Sequence, residues 1–262
     1  MQHLRIETDA RGVATLTLAR AEKHNALSAA LIAELTEAAH QLAADASVRV
    51  VVLAADGPTF CAGGDLGWMK EQMTADAATR RAGAEALAAM LGALNRLPKP
   101  LIGRVQGNAF GGGVGMACVC DVALAADTAL FWLTETRLGL IPATIGPYVL
   151  ARMGEAAARR VFMSSRRFGA EEAAHLGVIA RAVPSEALDA AVEAEVTPYL
   201  SCAPGAVAAA KALARRLGSD IRDADIVHSI DALIAQWEGD EAPEGIAAFF
   251  EKRAPRWVAS AT

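Results

Sequence analysis

Alternating apolar and polar residues near the start of the chain predict a β-strand over residues 13–18, because successive side chains of a strand point to opposite faces. A helix is expected to follow, with Ser28 as its N-cap and apolar residues at helical spacing from 31 to 42. The almost continuous β-branched run at 48–53 predicts a strand covered on both faces, as in a parallel sheet. Strands separated by helices are typical of an α/β fold with right-handed crossovers.

Strands, turns and helices continue to alternate along the first 200 residues. The patterns there predict a helical region at 68–96, a strand at 101–106, a buried helix at 114–120 and a strand at 121–125. After about residue 200 the strands stop, and helical spacing predicts helices at 206–217, 223–237 and 244–253. The sequence therefore predicts an α/β core over residues 1–200 and a helical region over residues 201–262.

Composition and charge exclude several classes of protein. With 262 residues, of which 53% are hydrophobic and 21% charged, the chain can bury a core and is not expected to be disordered. The net charge of -5 argues against a nucleic-acid-binding protein, whose phosphate contacts require a basic surface. No apolar run reaches the ~20 residues of a membrane span, and residues 1–11 do not resemble a signal peptide, so we expect a cytoplasmic protein without a membrane segment.

Small residues supply most of the hydrophobicity. Alanine and small aliphatic side chains dominate, only 5% of the residues are aromatic, and there are 22 glycines, so backbones can pack closely. The four cysteines show neither a disulfide framework nor the spacing of a zinc site, and we predict reduced thiols. We also predict no metal and no resident cofactor.

Three adjacent glycines lie in the segment 107–115 (GNAFGGGVG), ahead of the predicted buried helix. Glycines let the backbone turn sharply and expose N–H groups at the positive end of a helix, which favours an anion, a phosphate or a developing oxyanion. A Walker loop is excluded because no Lys-Ser/Thr follows the last glycine, and the GxGxxG pattern also fails. A purely structural glycine turn is the alternative.

Two further segments carry candidate chemistry. The segment 60–66 (FCAGGDL) follows a buried strand and a Gly-Pro break, where α/β proteins often bind ligands, although an ordinary tight turn fits equally well. Glu135 lies in a mostly apolar stretch, and partial burial would raise its pKa and suit it to acid–base catalysis. Helix capping, or an ion pair with Arg137, is the structural alternative for this glutamate.

Taken together, these segments resemble the crotonase (enoyl-CoA hydratase/isomerase) superfamily. The resemblance covers nearly the whole chain through RAEKHNAL at 20–27, FCAGGDL at 60–66, GNAFGGGVG at 107–115, TETRLGLIP at 134–142 and EGIAAFFEKR at 244–253. It implies a spiral of ββα units with a C-terminal helical trimerisation region, and an enzyme that stabilises the enolate of an acyl-CoA thioester. It also implies an acyl-CoA as the small-molecule partner and a homotrimer, or a hexamer made of two trimers.

The resemblance assigns roles by motif position. Glu135 is expected to be the acid–base group, and the backbone N–H groups of Ala62 and Gly112 are expected to form the oxyanion hole. The remaining expectations concern the CoA portion, with its adenine, phosphates and pantetheine, and include tail residues that often come from a neighbouring subunit. The expected substrate-binding residues are Lys23, Ala26, Ala62, Gly63, Gly64, Asp65, Leu66, Gly112, Phe249 and Lys252.

The chain departs from the family's pattern at Gly115. Hydratases of the family commonly use two glutamates, and the one that follows the glycine triplet is replaced here by a residue without a side chain. Glu135 is therefore the single matched acid–base group. Three interpretations stay open: hydration of an enoyl-CoA by one glutamate, proton transfer between carbons as in an enoyl-CoA isomerase, or acyl-CoA binding without turnover.

The segment 137–148 favours hydration, because it resembles the subgroup of 3-methylglutaconyl-CoA and related branched enoyl-CoA hydratases. Leucine or terpenoid breakdown is the metabolic context that this implies. A second carboxylate on such a substrate would need a cation, for which Arg137 and Arg104 are candidates, although an internal salt bridge suits either better. Phe249 and Trp257 belong to a group of apolar tail residues that predicts an interface.

Overall fold

The computed structural model describes residues 1–258 and divides the strands of this part of the chain between two sheets. The larger sheet has the order β1 (Leu4–Thr8), β2 (Val13–Leu18), β3 (Val50–Ala55), β5 (Leu101–Val105), β7 (Val122–Ala126) and β10 (Arg181–Val183). The smaller sheet has the order β4 (Thr59–Cys61), β6 (Asn108–Phe110), β8 (Leu130–Trp132) and β9 (Arg167–Gly169). The pairs β1–β2 and β8–β9 are antiparallel, and the other neighbours are parallel.

Three times along the chain, a helix follows a pair of strands with one strand from each sheet. The helices are α1 (Ala29–Ala44), α2 (Leu66–Thr74), α3 (Ala77–Asn95), α4 (Gly112–Val119), α5 (Gly146–Met153), α6 (Glu155–Phe162), α7 (Ala170–His175), α8 (Leu188–Leu200), α9 (Pro204–Leu217), α10 (Asp223–Glu238) and α11 (Glu241–Glu251). The units β3–β4–α2–α3, β5–β6–α4 and β7–β8–α5 repeat one arrangement. The predicted α/β spiral of ββα units is confirmed.

Helices cover both faces of the larger sheet. All residues of β3 are buried, and successive side chains of this strand enter two different apolar clusters. Val51 and Leu53 face the cluster that includes α1, α3 and α4, whereas Val50 and Val52 face α8. This double burial explains why the strand is almost continuously β-branched instead of alternating with polar residues.

The smaller sheet was missed by the hydrophobic pattern. Its strands β4, β6, β8 and β9 have three residues each, which is too short to display an alternation. Strand β6 lies inside the segment 107–115, and β4 overlaps the start of the segment 60–66, although both segments were predicted to be turns only. The buried helix also begins at Gly112, two residues before the predicted start, because helix propensity disfavours glycine and hides that first turn.

The predicted helices of the C-terminal region are present as α9, α10 and α11. Within the chain, α10 packs on α3 through a small cluster formed by Ala84, Ala88, Ile230 and Ile234. Helix α11 contacts the short 3-10 turn Glu135–Leu138. A division at residue 200 and a role of these helices in trimerisation stay predictions. No helix among residues 1–258 has both the length and the apolar character needed to cross a membrane.

Candidate active site

Backbone hydrogen bonds join the early loop at 20–27 to the turn that follows β4. The Leu27 N–H donates to the Gly63 carbonyl at 2.7 Å, and the Asp65 N–H donates to the Leu27 carbonyl at 3.0 Å. The Ala62 N–H donates to the His24 carbonyl at 3.0 Å. Because this N–H is already used, the prediction that Ala62 supplies an oxyanion-hole donor is wrong.

Gly64 provides the free donor on this turn instead. In the described part of the chain, neither the Gly64 N–H nor the Gly112 N–H donates a hydrogen bond. Both residues line the same cavity as Glu135, whereas Ala62 does not. Gly112 is also the first residue of α4, where backbone N–H groups have no intrahelical partner and the helix dipole is positive. Two unused backbone N–H groups thus belong to residues that line the cavity of Glu135.

The glycine triplet brings α4 close to the turn and to Glu135. A Cβ atom on Gly112 would lie 2.5 Å from Cδ1 of Leu27, so this position accepts no side chain without a shift. Gly111 has φ +46°, and a Cβ there would lie 3.1 Å from Oε1 of Glu135. The absence of side chains therefore allows the carboxylate and the start of the helix to approach one another.

Glu135 begins the 3-10 turn Glu135–Leu138 and directs its carboxyl group into the cavity wall. Its Oε2 atom is buried and has no hydrogen-bond partner among residues 1–258. Burial raises the pKa of Glu135 to about 7, against a smaller opposite influence of the backbone groups of Glu135 and Thr134. A carboxyl group with this pKa can accept and return a proton near neutral pH.

The position expected for a second glutamate is filled by a hydrophobic side chain. A Cβ atom on Gly115 would lie 2.5 Å from Cγ2 and 2.9 Å from Cβ of Ile145. Ile145 is itself buried and lines the cavity. The structure therefore replaces the usual carboxylate with a packed isoleucine.

The cavity holds about 920 Å³ of empty space, open solvent at its mouth included. Apolar residues and glycines form most of its lining. The polar side chains that line it are Gln72, Arg80, Thr134, Glu135 and Thr144.

Neither arginine considered for a substrate carboxylate lies in this lining. Arg104 pairs with Asp189 at 2.6 Å, so its predicted internal salt bridge is confirmed. Arg137 is exposed, and its guanidinium lies 5.5 Å from the ring centre of Trp132. Arg137 forms no salt bridge within residues 1–258, and neither arginine is placed to meet an acyl group in this cavity.

The residues expected near CoA are spread along the mouth of the cavity and beyond it. Gly63 and Gly64 line the cavity, and Leu66 is 51% exposed. The Asp65 carboxylate accepts hydrogen bonds from Arg20 at 2.7 Å and from the Gly67 N–H at 2.7 Å, so it caps α2 and holds the turn. This engagement, together with the hydrogen bonds to the early loop, keeps the turn in one conformation.

Other expected binding residues lie away from the cavity. Lys23 is exposed, and Ala26 is buried. Phe249 is 49% exposed and Lys252 ends α11, and neither lines the cavity of a single chain. Binding of CoA by these residues and by Asp65 and Leu66 stays a prediction.

Sequence reasoning missed several residues that build the site. Asn25 is buried and donates to the Asp56 and Thr59 carbonyls at 2.9 and 2.8 Å, which ties the early loop to the sheet. Gly64 was expected to bind substrate, but its role as an N–H donor was not predicted. By contrast, Gln72 and Arg80 lie on the consecutive helices α2 and α3, Trp237 lies on α10, and no sequence signal links these residues to Glu135. Only the folded structure shows that these three residues line the same cavity as Glu135.

A family model for enoyl-CoA hydratase/isomerase matches residues 8–260. The chain belongs to the enoyl-CoA hydratase/isomerase family. An enoyl-CoA hydratase of Alternaria alternata, ACTT6, is 35% identical over 241 residues, which are 91% of this chain and 78% of that relative.

Solved structures of the family agree with this assignment. An enoyl-CoA hydratase from Mycobacterium avium is 33% identical with a TM-score of 0.88, and 98% of this chain covers 100% of that chain. An enoyl-CoA hydratase from Mycobacterium smegmatis is 36% identical with a TM-score of 0.79, and the match covers 97% of this chain and 98% of that chain. The predicted membership of the crotonase superfamily, and the prediction of an enoyl-CoA hydratase-like enzyme, are confirmed.

Proposed function

We propose that this family member adds water to the double bond of an enoyl-CoA thioester. One observation carries the proposal: a carboxyl group with a pKa of about 7 and two unused backbone N–H groups, of Gly64 and Gly112, surround one apolar cavity. Two N–H groups that point at one oxygen stabilise the negative charge that develops there during addition to a thioester.

In the proposed reaction the thioester oxygen accepts hydrogen bonds from Gly64 and Gly112. The Glu135 carboxylate removes a proton from a water molecule, and the water oxygen bonds to the β-carbon of the substrate. The electron pair of the double bond moves onto the thioester oxygen and forms an enolate. Glu135 then returns its proton to the α-carbon, the enolate collapses to the thioester, and the carboxylate is regenerated.

A single glutamate must perform both proton transfers. The buried Ile145 side chain covers the position of Gly115, where a second acid would otherwise stand. Because one carboxylate takes and returns the proton, hydrogen and hydroxyl are expected on the same face of the double bond. The stereochemistry of hydration in deuterium oxide, read by NMR of the product, tests this expectation.

The CoA portion is expected at the mouth of the cavity, beside the turn at 62–66. Free CoA carries several negative charges, and Lys23 and Lys252 would compensate them on a chain whose net charge is -5. A branched or dicarboxylic acyl group is the substrate class that the sequence resemblance supports. The location proposed for this activity is the cytoplasm.

The active form is proposed to be a homotrimer or a hexamer of two trimers. Phe249, Trp257 and Val258 are 49%, 40% and 52% exposed in the single chain, and such apolar side chains near one another often belong to an interface. Light scattering at micromolar concentration should give the mass of three or six chains. A monomeric mass would rule this part of the proposal out.

The test of the activity compares three thioesters. Loss of the conjugated enoyl absorbance of crotonyl-CoA or 3-methylglutaconyl-CoA identifies hydration. A gain of this absorbance from a 3-enoyl-CoA identifies an isomerase. If none of the three reacts while CoA thioesters still bind, the protein is an acyl-CoA-binding member of the family without turnover.

A further inference from the structure

One cation lies among the mostly apolar residues of the cavity. Arg80, near the start of α3, is the sole arginine or lysine in the described lining. It does not pair with Glu135, although both line the same cavity. The acid–base group and this guanidinium are therefore separate polar sites in one cavity.

The guanidinium of Arg80 is held in place but keeps an unused donor. Its Nε donates to the Gln72 carbonyl at 2.9 Å, and its Nη2 donates to the Met73 carbonyl at 3.2 Å. The group also lies over the Trp237 ring, 5.0 Å from the ring centre. Its Nη1 has no acceptor among residues 1–258.

No carboxylate of the described chain neutralises this charge. Neighbouring Arg81, by contrast, pairs with Asp231 at 2.6 Å. The hydrogen bonds from Thr79 and, less strongly, the charge of Arg80 lower the pKa of Asp76, but this carboxylate caps α3 and forms no ion pair with Arg80. A half-buried cation without a counter-ion is costly to keep, so a ligand anion is its natural partner.

A second polar group lies beside the guanidinium. Gln72 is only 8% exposed, and its side-chain amide makes no hydrogen bond within residues 1–258. It lines the cavity, and its backbone carbonyl is the acceptor of the Arg80 Nε. The cavity thus contains two side chains with unused N–H donors, a guanidinium and an amide, and both donor types suit carboxylate oxygens.

We propose that Arg80, assisted by Gln72, binds a carboxylate at the far end of the acyl chain. The preferred substrates are then enoyl thioesters of dicarboxylic acids. The proposal deepens the proposed function and rests on it. The two hydrogen bonds of the guanidinium and its contact with the Trp237 ring hold it in place, which favours a directional contact over a diffuse charge effect.

Arg80 also has a structural role, because its two hydrogen bonds satisfy carbonyls in the last turn of α2. A purely structural arginine would affect all substrates equally. The carboxylate proposal, in contrast, requires a difference between substrates that carry the charge and substrates that lack it. That difference is what the experiment measures.

The experiment uses two enoyl thioesters of equal length, glutaconyl-CoA and trans-2-pentenoyl-CoA. The wild-type enzyme is expected to have the higher kcat/KM for glutaconyl-CoA. Arg80→Met should lower kcat/KM for glutaconyl-CoA by about 10- to 100-fold, the range of a charge-assisted hydrogen bond. The value for pentenoyl-CoA should change by less than about threefold, since a neutral chain gains nothing from the charge.

The matched control is Arg81→Met, which removes an adjacent arginine whose partner is on the surface and which does not line the cavity. It should leave the preference unchanged. Arg80→Lys keeps the charge and should retain part of the preference. Equal losses for both substrates in Arg80→Met would overturn the proposal and leave only the capping role.

A binding measurement on the wild-type enzyme tests the preference for a terminal carboxylate even if Arg80→Met does not fold. Glutaryl-CoA and pentanoyl-CoA, both saturated, compete with a bound fluorescent CoA thioester, and glutaryl-CoA should bind about tenfold or more tightly. Equal binding overturns the Arg80 proposal. Failure of the proposed function looks different, because the wild-type enzyme would then hydrate neither enoyl thioester, whatever the order of binding.

Discussion

The surroundings of Glu135 and of Gly115, the two positions where the family commonly has its acids, differ in chemistry. At the first, a 3-10 turn places a carboxyl group whose Oε2 is buried without a partner. At the second, helix α4 presents a glycine against which the Ile145 side chain packs, so that a Cβ would meet Cγ2 at 2.5 Å. The carboxyl group of Glu135 is polar, and its burial costs free energy, whereas the surroundings of Gly115 are apolar and closely packed.

The difference teaches that the second acid is not merely deleted. Its space is used by another side chain, so restoring a glutamate at 115 alone would require Ile145 to move. The entire acid–base capacity of the described cavity is therefore concentrated in Glu135. Substitutions at Glu135 and at Gly115 test this difference separately.

The largest expected effect comes from Glu135→Gln, which keeps the shape of the side chain but removes the proton acceptor. We expect kcat to fall by about 10²- to 10⁴-fold, with binding of a saturated CoA thioester close to that of the wild type. Steady-state kinetics and a binding titration check both parts. Glu155→Gln, which alters an exposed carboxylate paired with Arg159, serves as the control. Retained turnover in Glu135→Gln would place the acid–base group elsewhere.

The same substitution should change how stability depends on pH. The folded-state pKa of Glu135 is about 7, above its ordinary value of 4.5, so the unfolded chain loses this proton first as the pH rises. The wild type therefore loses stability between about pH 4.5 and pH 7 relative to Glu135→Gln. The free energy of unfolding of the variant, compared with that of the wild type, should improve by on the order of 3 kcal/mol between pH 4.5 and pH 8.5. Urea unfolding at the two pH values measures this, and a pH-independent difference would contradict it.

At the other position, Gly115→Ala should destabilise the protein by about 1–3 kcal/mol, because the new methyl group overlaps Ile145. The background Ile145→Ala removes the 2.5 Å contact with Cγ2 and leaves only the 2.9 Å contact with Cβ. There the same substitution should cost clearly less than in the wild type, because the remaining overlap is smaller and alanine has the higher helix propensity. A double-mutant cycle from chemical unfolding gives the coupling, and simple additivity would show that the two positions do not touch.

The last prediction concerns the pH dependence of catalysis. If Glu135 acts first as a base, its carboxylate form is required, and kcat/KM should fall about tenfold for each pH unit below about 7. Rates for crotonyl-CoA between pH 5 and pH 9 check this. An activity that instead declined as the pH rose through 7 would mean that the protonated form starts the reaction.

Much of the fold and part of the site could be predicted from the sequence. Four strands of the larger sheet, β2, β3, β5 and β7, and the helices α1, α9, α10 and α11 were each expected close to their observed positions. The edge strands β1 and β10 were not predicted. The segments with Glu135 and with Gly112 identified two residues of the site. The smaller sheet was not predicted, because a strand of three residues leaves no periodic signal and is defined by its partners alone.

The choice between Ala62 and Gly64 illustrates a different limit. Both have an N–H group on the same turn, and the sequence does not say which one a neighbouring carbonyl will use. The His24 carbonyl takes the N–H of Ala62, and this acceptor comes from a loop almost forty residues earlier in the chain. A hydrogen bond between segments that are distant in the chain thus determines that the Gly64 N–H, and not the Ala62 N–H, remains free.

The sequence by itself determined the family, the α/β class, the glycine positions and the identity of the single acid, because these depend on residue types in a fixed order. The tertiary structure decided which N–H groups are free, what fills the space over Gly115 and which cation shares the cavity with Glu135. Those properties arise from distances between side chains on α2, α3, α5 and α10 and the segments around them. The local sequence pattern does not determine these distances, because they are set only when the separate elements pack together.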